Sequence, residues 1–93
     1  MHIGLLTFDL FLPGSQSLKS KRSLIKSLKD RVRSQFNVSI AEVGSHDKWQ
    51  KSIISVCAIG TDRRLLDSTL QSIVSLVEKL RDIEISNTEL EFL

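Results

Sequence analysis

Two stretches of this chain, Ile3–Leu12 and Lys51–Gly60, are apolar on both sides of a two-residue alternation. In the first, Leu6, Phe8, Leu10 and Leu12 share one side and Ile3, Leu5, Thr7 and Phe11 the other. In the second, Ile54, Val56 and Ala58 stand against Ile53, Cys57 and Ile59. Successive side chains of a strand point to opposite faces, so such segments need strand neighbours or cover on both faces. They are predicted to be the central strands of a sheet. A breaker and a helical period follow each of them. Leu12-Pro13-Gly14-Ser15 ends the first, and a helix beginning between Ser17 and Ser23 then places Leu24, Ile25, Leu28, Val32 and Phe36 on one side. Thr61-Asp62 ends the second and offers an N-cap to a helix carrying Leu65, Leu66, Leu70, Ile73, Leu76, Val77 and Leu80. Asn37–Gly44 reads as a further strand, with turn chemistry in Gly44-Ser45-His46-Asp47, and Ile83–Leu93 as the last. The order βαββαβ, in halves of similar length, predicts a single ferredoxin-like α+β domain over residues 1–93. Its four-stranded antiparallel sheet carries two helices on one face.

A chain of 93 residues with 5% aromatics can build one modest core, chiefly from Ile, Leu and Val. The uncovered sheet face would show apolar side chains from the central strands, more than a monomer normally exposes, so a homodimer or a partner protein is expected there. Cys57, the only cysteine, excludes an intramolecular disulfide and a multi-cysteine metal site. It fits a reducing, cytoplasmic setting and reads as a small hydrophobe. With His2 and His46 far apart in sequence, neither metal nor cofactor is expected. No apolar run reaches the ~20 residues of a membrane span. The apolar N-terminus is interrupted by Asp9 and preceded by no basic region, so it reads as a strand of the mature protein.

Charge is distributed unevenly. Between Lys19 and Arg33 lie seven basic residues and one acid, Asp30, a net +6 in a chain of net +2, which leaves the remainder at −4. Lys19, Arg22, Lys26, Lys29 and Arg33 recur at steps of three and four. At 100° per residue they form one stripe beside the apolar side of the first helix. Lys21 falls nearer the apolar side and Arg31 on the far flank. A solvated helix face accounts for such a run; so does a phosphate backbone, which rewards charge and spacing. The second helix, by contrast, intersperses its signs in Glu78, Lys79, Arg81 and Asp82. Few aromatics and no tyrosine argue against base-stacking platforms of the RNA-recognition-motif type, leaving structured RNA read by shape and charge.

Three smaller features complete the candidates. Gly14, Ser15, Ser17 and Lys21, at the entry to the basic helix, make a possible anion loop, or an ordinary turn. They match neither a Walker loop nor a dinucleotide fingerprint. Trp49 and Gln50, after the second strand, are candidate partner contacts, or Trp49 folds back on the sheet edge. His46 and Asp47 are adjacent, a poor arrangement for an acid/base pair, with no nucleophile beside them. Asp9 and Glu42, acids inside strands, could on the open sheet face pair with Arg or Lys or line a polar pocket; as edge and face devices against aggregation they need no further role.

The segments LPGSQSLKSKR after the first strand, FNVSIAEVG into the second and Asp47-Lys48-Trp49-Gln50 before the third resemble, in order and spacing, the YlxP-like family of small bacterial proteins of unknown function. The resemblance implies a ferredoxin-like fold. It also implies a setting near the ribosome, because the family's genes often sit among those for translation initiation and ribosome maturation. It carries over no catalytic residue. Two enzymatic or carrier patterns of this fold class are missing: the Gly-rich arginine loop of acylphosphatases and the Met-x-Cys-x-x-Cys of copper carriers. The expectation is a non-enzymatic protein that engages structured RNA or the ribosome through its first helix. The alternative is a dimeric scaffold using the open sheet face and Trp49.

Overall fold

The computed structural model describes all residues from Met1 to Leu93. Its elements are β1 (His2–Phe11), α1 (Leu18–Gln35), β2 (Ser39–Gly44), β3 (Lys51–Gly60), α2 (Arg63–Glu78) and β4 (Glu84–Phe92). The sheet order is β2-β3-β1-β4 with every pair antiparallel, the ferredoxin-like α+β plait that the alternation predicts. The two strands apolar on both sides, β1 and β3, are the central ones.

Each helix starts where its sequence stops competing with it. The Ser17 hydroxyl accepts the Ser20 backbone N–H at 3.0 Å, and the Asp62 carboxylate accepts that of Leu65 at 3.1 Å, so both N-termini are capped by side chains. The two helices cover the same sheet face. Leu6, Phe8, Leu10, Ile40, Ile54, Val56 and Ala58 from the strands form one core with Ile25, Leu28, Val32, Leu66, Leu70, Ile73 and Val77 from the helices. Helix α1 lies over the β2 side, whereas α2 crosses β1, β3 and β4. Gly4 permits that crossing: a Cβ there would come within 2.5 Å of the fully buried Leu70 side chain.

The other sheet face is uncovered and divided. Toward β2 and β3 it exposes Val43, Cys57 and Ile59, with Ile59 66% exposed. At its centre Thr7 and Ser55 share a hydrogen bond of 2.9 Å. Toward β4 it becomes acidic, because Glu91, Glu89 and Glu84 stand opposite Leu5, Thr7 and Phe11, and Asp9 faces Asn87. Asp9 is on this face as expected, but Glu42 is not. Glu42 pairs with Ile54 in regular alternation with Ile40 opposite Val56, so it shares the core isoleucine's side and turns toward the helices; the bulge, with Gly44 against Ile53, comes only after it.

Candidate nucleic-acid interface

On an ideal helix, Lys21 lies at nearly the same angle as Ile25, Leu28 and Val32, the centre of the buried side of α1. The structure buries it to 1% exposure. Its ammonium meets Glu42 Oε2 at 2.9 Å and donates to the Ser45 carbonyl oxygen. Ser52, also buried, donates its hydroxyl to the same Glu42 oxygen at 2.6 Å. Partial burial opposes the Glu42 charge. The Ser52 hydroxyl and the Lys21 ammonium outweigh it, with His46 adding to them, and hold the carboxyl below its ordinary value of 4.5. The group is fully satisfied: no buried side-chain polar atom of the protein lacks a hydrogen-bond partner.

This arrangement corrects the anion-loop expectation. Lys21 is committed to Glu42, Ser15 is fully buried with its hydroxyl on the Ser17 carbonyl at 3.3 Å, and the Ser17 hydroxyl is the N-cap. Gly14 is exposed in the Pro13–Gly14 turn and stands alone. The segment is a strut. Gln50, expected as a partner contact, completes it from within the protein. Its side-chain amide donates to the carbonyls of Pro13 (3.1 Å) and Ser15 (3.2 Å), and its own carbonyl accepts from Leu12 N–H at 2.9 Å. Loop 12–17 and loop 45–50 are therefore latched together beside the start of α1. Trp49 does not fold back; it is 55% exposed on this latch. The ring of His46 contacts the Glu42 backbone carbonyl at 3.2 Å, away from any pairing with Asp47.

The stripe projects from the same end. Lys19, Arg22, Lys26 and Arg33 are exposed and Lys29 half-buried. Lys26 pairs with Asp30 at 2.9 Å across one turn, an exposed contact that holds the Asp30 carboxyl below its ordinary range, first through the hydrogen bond and then through the charge. Arg33 donates to the Ile40 carbonyl at 3.2 Å and ties the last turn of α1 to edge strand β2. Lys19, Arg22 and Lys29 have no ion-pair partner. From Lys19 to Arg33 the stripe spans about 21 Å at 1.5 Å per residue. On the far flank Arg31 lines, with Lys79, Arg81 and Asp82, a groove of about 320 Å³ between α1 and the segment that follows α2.

Sequence reasoning missed the Lys21–Glu42–Ser52 group. The signal was present: a lysine at the centre of an apolar helix side and a glutamate in phase with a core isoleucine are complementary charges aimed at one interior. No three His, Cys, Asp or Glu side chains converge as metal ligands, and no helix is long and apolar enough to cross a membrane.

Comparison with known proteins finds matches along nearly the whole chain. The family described as "Protein of unknown function (DUF503)" matches residues 3–90. The uncharacterized protein YlxP of Bacillus subtilis (strain 168) is 31% identical over 90 residues, covering 97% of this chain and 98% of that protein. Both strut loops, the buried Lys21 and the whole basic stripe fall within the matched region, and the chain belongs to the DUF503 family, of which YlxP is a relative.

Proposed function

We propose that this protein is a non-enzymatic, cytoplasmic RNA-binding protein that engages structured RNA, on or near the ribosome, through the exposed stripe of α1. The observation that carries the reading is the stripe itself. Five cations, four of them without an ion-pair partner, project from a helix whose adjoining apolar side is fixed to the sheet. A rigid row of charge fits the regular phosphates of a duplex, which needs positioning more than base chemistry. The acids of β4 lie at the opposite edge of the sheet, so the molecule has a charge gradient that would turn α1 toward a polyanion.

Fluorescence anisotropy with a ribosomal RNA stem tests this. Replacing Lys26, Lys29 and Arg33 with Gln is expected to weaken binding to every duplex alike while altering stability by no more than about 1 kcal/mol, since these are surface contacts. Unchanged affinity in that variant refutes the reading.

A second reading, a dimeric scaffold, is favoured by one specific observation. Val43 (54% exposed) and Ile59 leave an apolar half of the open sheet face uncovered. In this account the β2–β3 half of the face pairs with a second copy and the acidic β4 half remains outside. The two readings are compatible, because α1 and the open face lie on opposite sides of the sheet.

A further inference from the structure

We propose that Trp49 is a stacking platform for one unpaired nucleobase beside the duplex held by α1; this rests on the RNA-binding reading above. An indole left 55% exposed in so small a domain forgoes a large hydrophobic gain, and a mobile loop would be the ordinary account. This loop is not built that way. Ser45 takes a left-handed conformation (φ 58°), and its carbonyl accepts both the Lys48 N–H and the buried Lys21 ammonium. Immediately after Trp49, Gln50 makes three hydrogen bonds to loop 12–17. The residues on both sides of the indole are therefore anchored to the protein body, and the ring is presented without the ordering cost that a floppy aromatic would incur on binding.

Its surroundings select the occupant. Among the two latched loops, Trp49 is the only large apolar side chain that is exposed; Val43 and Ile59 lie on the open sheet face. Exposed Lys48 and Lys51 flank it, with Asp47 the one acid of the loop, and Lys21 ties the loop to the helix turn that carries exposed Lys19 and Arg22. A lone aromatic among cations suits a π-face with phosphates on either side. Base–aromatic stacking beside a positively charged track is the combination by which proteins hold unpaired nucleotides. The nucleotide would be a bulge or a loop residue at the end of the stem, because a base inside an A-form helix offers no free face.

The test uses the native full-length chain with two probes, a fully paired RNA duplex and the same duplex carrying one bulged adenosine. Trp49 is the only tryptophan, so every change in tryptophan emission reports on this site. The bulged duplex is expected to bind roughly 5- to 150-fold more tightly than the paired one and to quench Trp49 emission. Trp49→Ala is expected to abolish that preference while leaving affinity for the paired duplex unchanged, and Trp49→Phe to retain most of it. Equal binding of the two duplexes by the native protein overturns the stacking site. The stripe reading then still stands if the Lys26, Lys29 and Arg33 to Gln variant loses affinity for both. No binding of either duplex at low salt overturns both proposals. A bulge preference that persists in Trp49→Ala also overturns the stacking site.

Discussion

Removing one partner of the Lys21–Glu42 pair is expected to cost far more than removing both. Either single change strands a charge or a polar group in a site that is 1% exposed on the lysine side and 17% on the glutamate side. Breaking a buried pair in this way costs about 3–5 kcal/mol, a large share of the stability of a small domain. Lys21→Met combined with Glu42→Leu should recover most of that loss, because an apolar pair fills the same space without a desolvation penalty. Urea unfolding of the two single variants and the double variant completes the cycle; a loss in the double variant equal to the sum of the two single losses would refute a coupled pair. Acid stability follows from the same residues. The Glu42 carboxyl titrates lower in the folded chain than in the unfolded one, so between those two values the unfolded state binds more protons. The stabilisation is complete above about 4.5 and is lost as pH falls through the folded value. Thermal unfolding as a function of pH should show this loss in the native protein and a flatter profile in Glu42→Gln. Asp30 is held down too, by Lys26, but at the surface, where salt should remove the effect without touching that of Glu42.

The latch is a property of elements. Gln50→Ala deletes two hydrogen bonds between loops 12–17 and 45–50 but leaves the backbone contact from Leu12 and the ion pair beneath. The expected result is a small loss of stability, about 1–2 kcal/mol, with a clear drop in the fluorescence anisotropy of Trp49. A Trp49 signal that stays unchanged would mean that the indole is held by something else. The legibility of the sequence differs between such elements for physical reasons. Strands β1 and β3 are readable because alternation and apolar runs are local, and both helices because their periods are local as well; only the second helix shows its cap in the sequence, at Asp62. Sequence also placed the stripe on one side of α1, since that depends on helical geometry alone. The partners of Lys21 and Gln50 were not legible. They lie 21 and 37 residues away and are brought into reach only by the register of the strands in the sheet. Side-chain amides and ammonium groups carry no periodic signal of whom they meet, so a residue expected to face a ligand became a strut.

At the scale of the whole molecule, charge and apolar surface are sorted onto different sides. Cations follow α1 above β2, acids follow β4 at the far edge, and the exposed apolar residues Val43 and Ile59 lie on the face away from both helices. If a second copy covers that face, sedimentation equilibrium at high micromolar concentration should show a dimer that Ile59→Lys disrupts; a monomer at that concentration removes the scaffold reading. RNA binding makes a separate demand, that the stripe act as a unit on phosphates. The most direct measurement is the affinity of the native protein for a structured ribosomal RNA stem across a series of salt concentrations. Neutralising about five phosphates predicts that log K falls with log[salt] at a slope of roughly −3.5 to −4.5. A slope near zero, or no binding at low salt, would contradict the account.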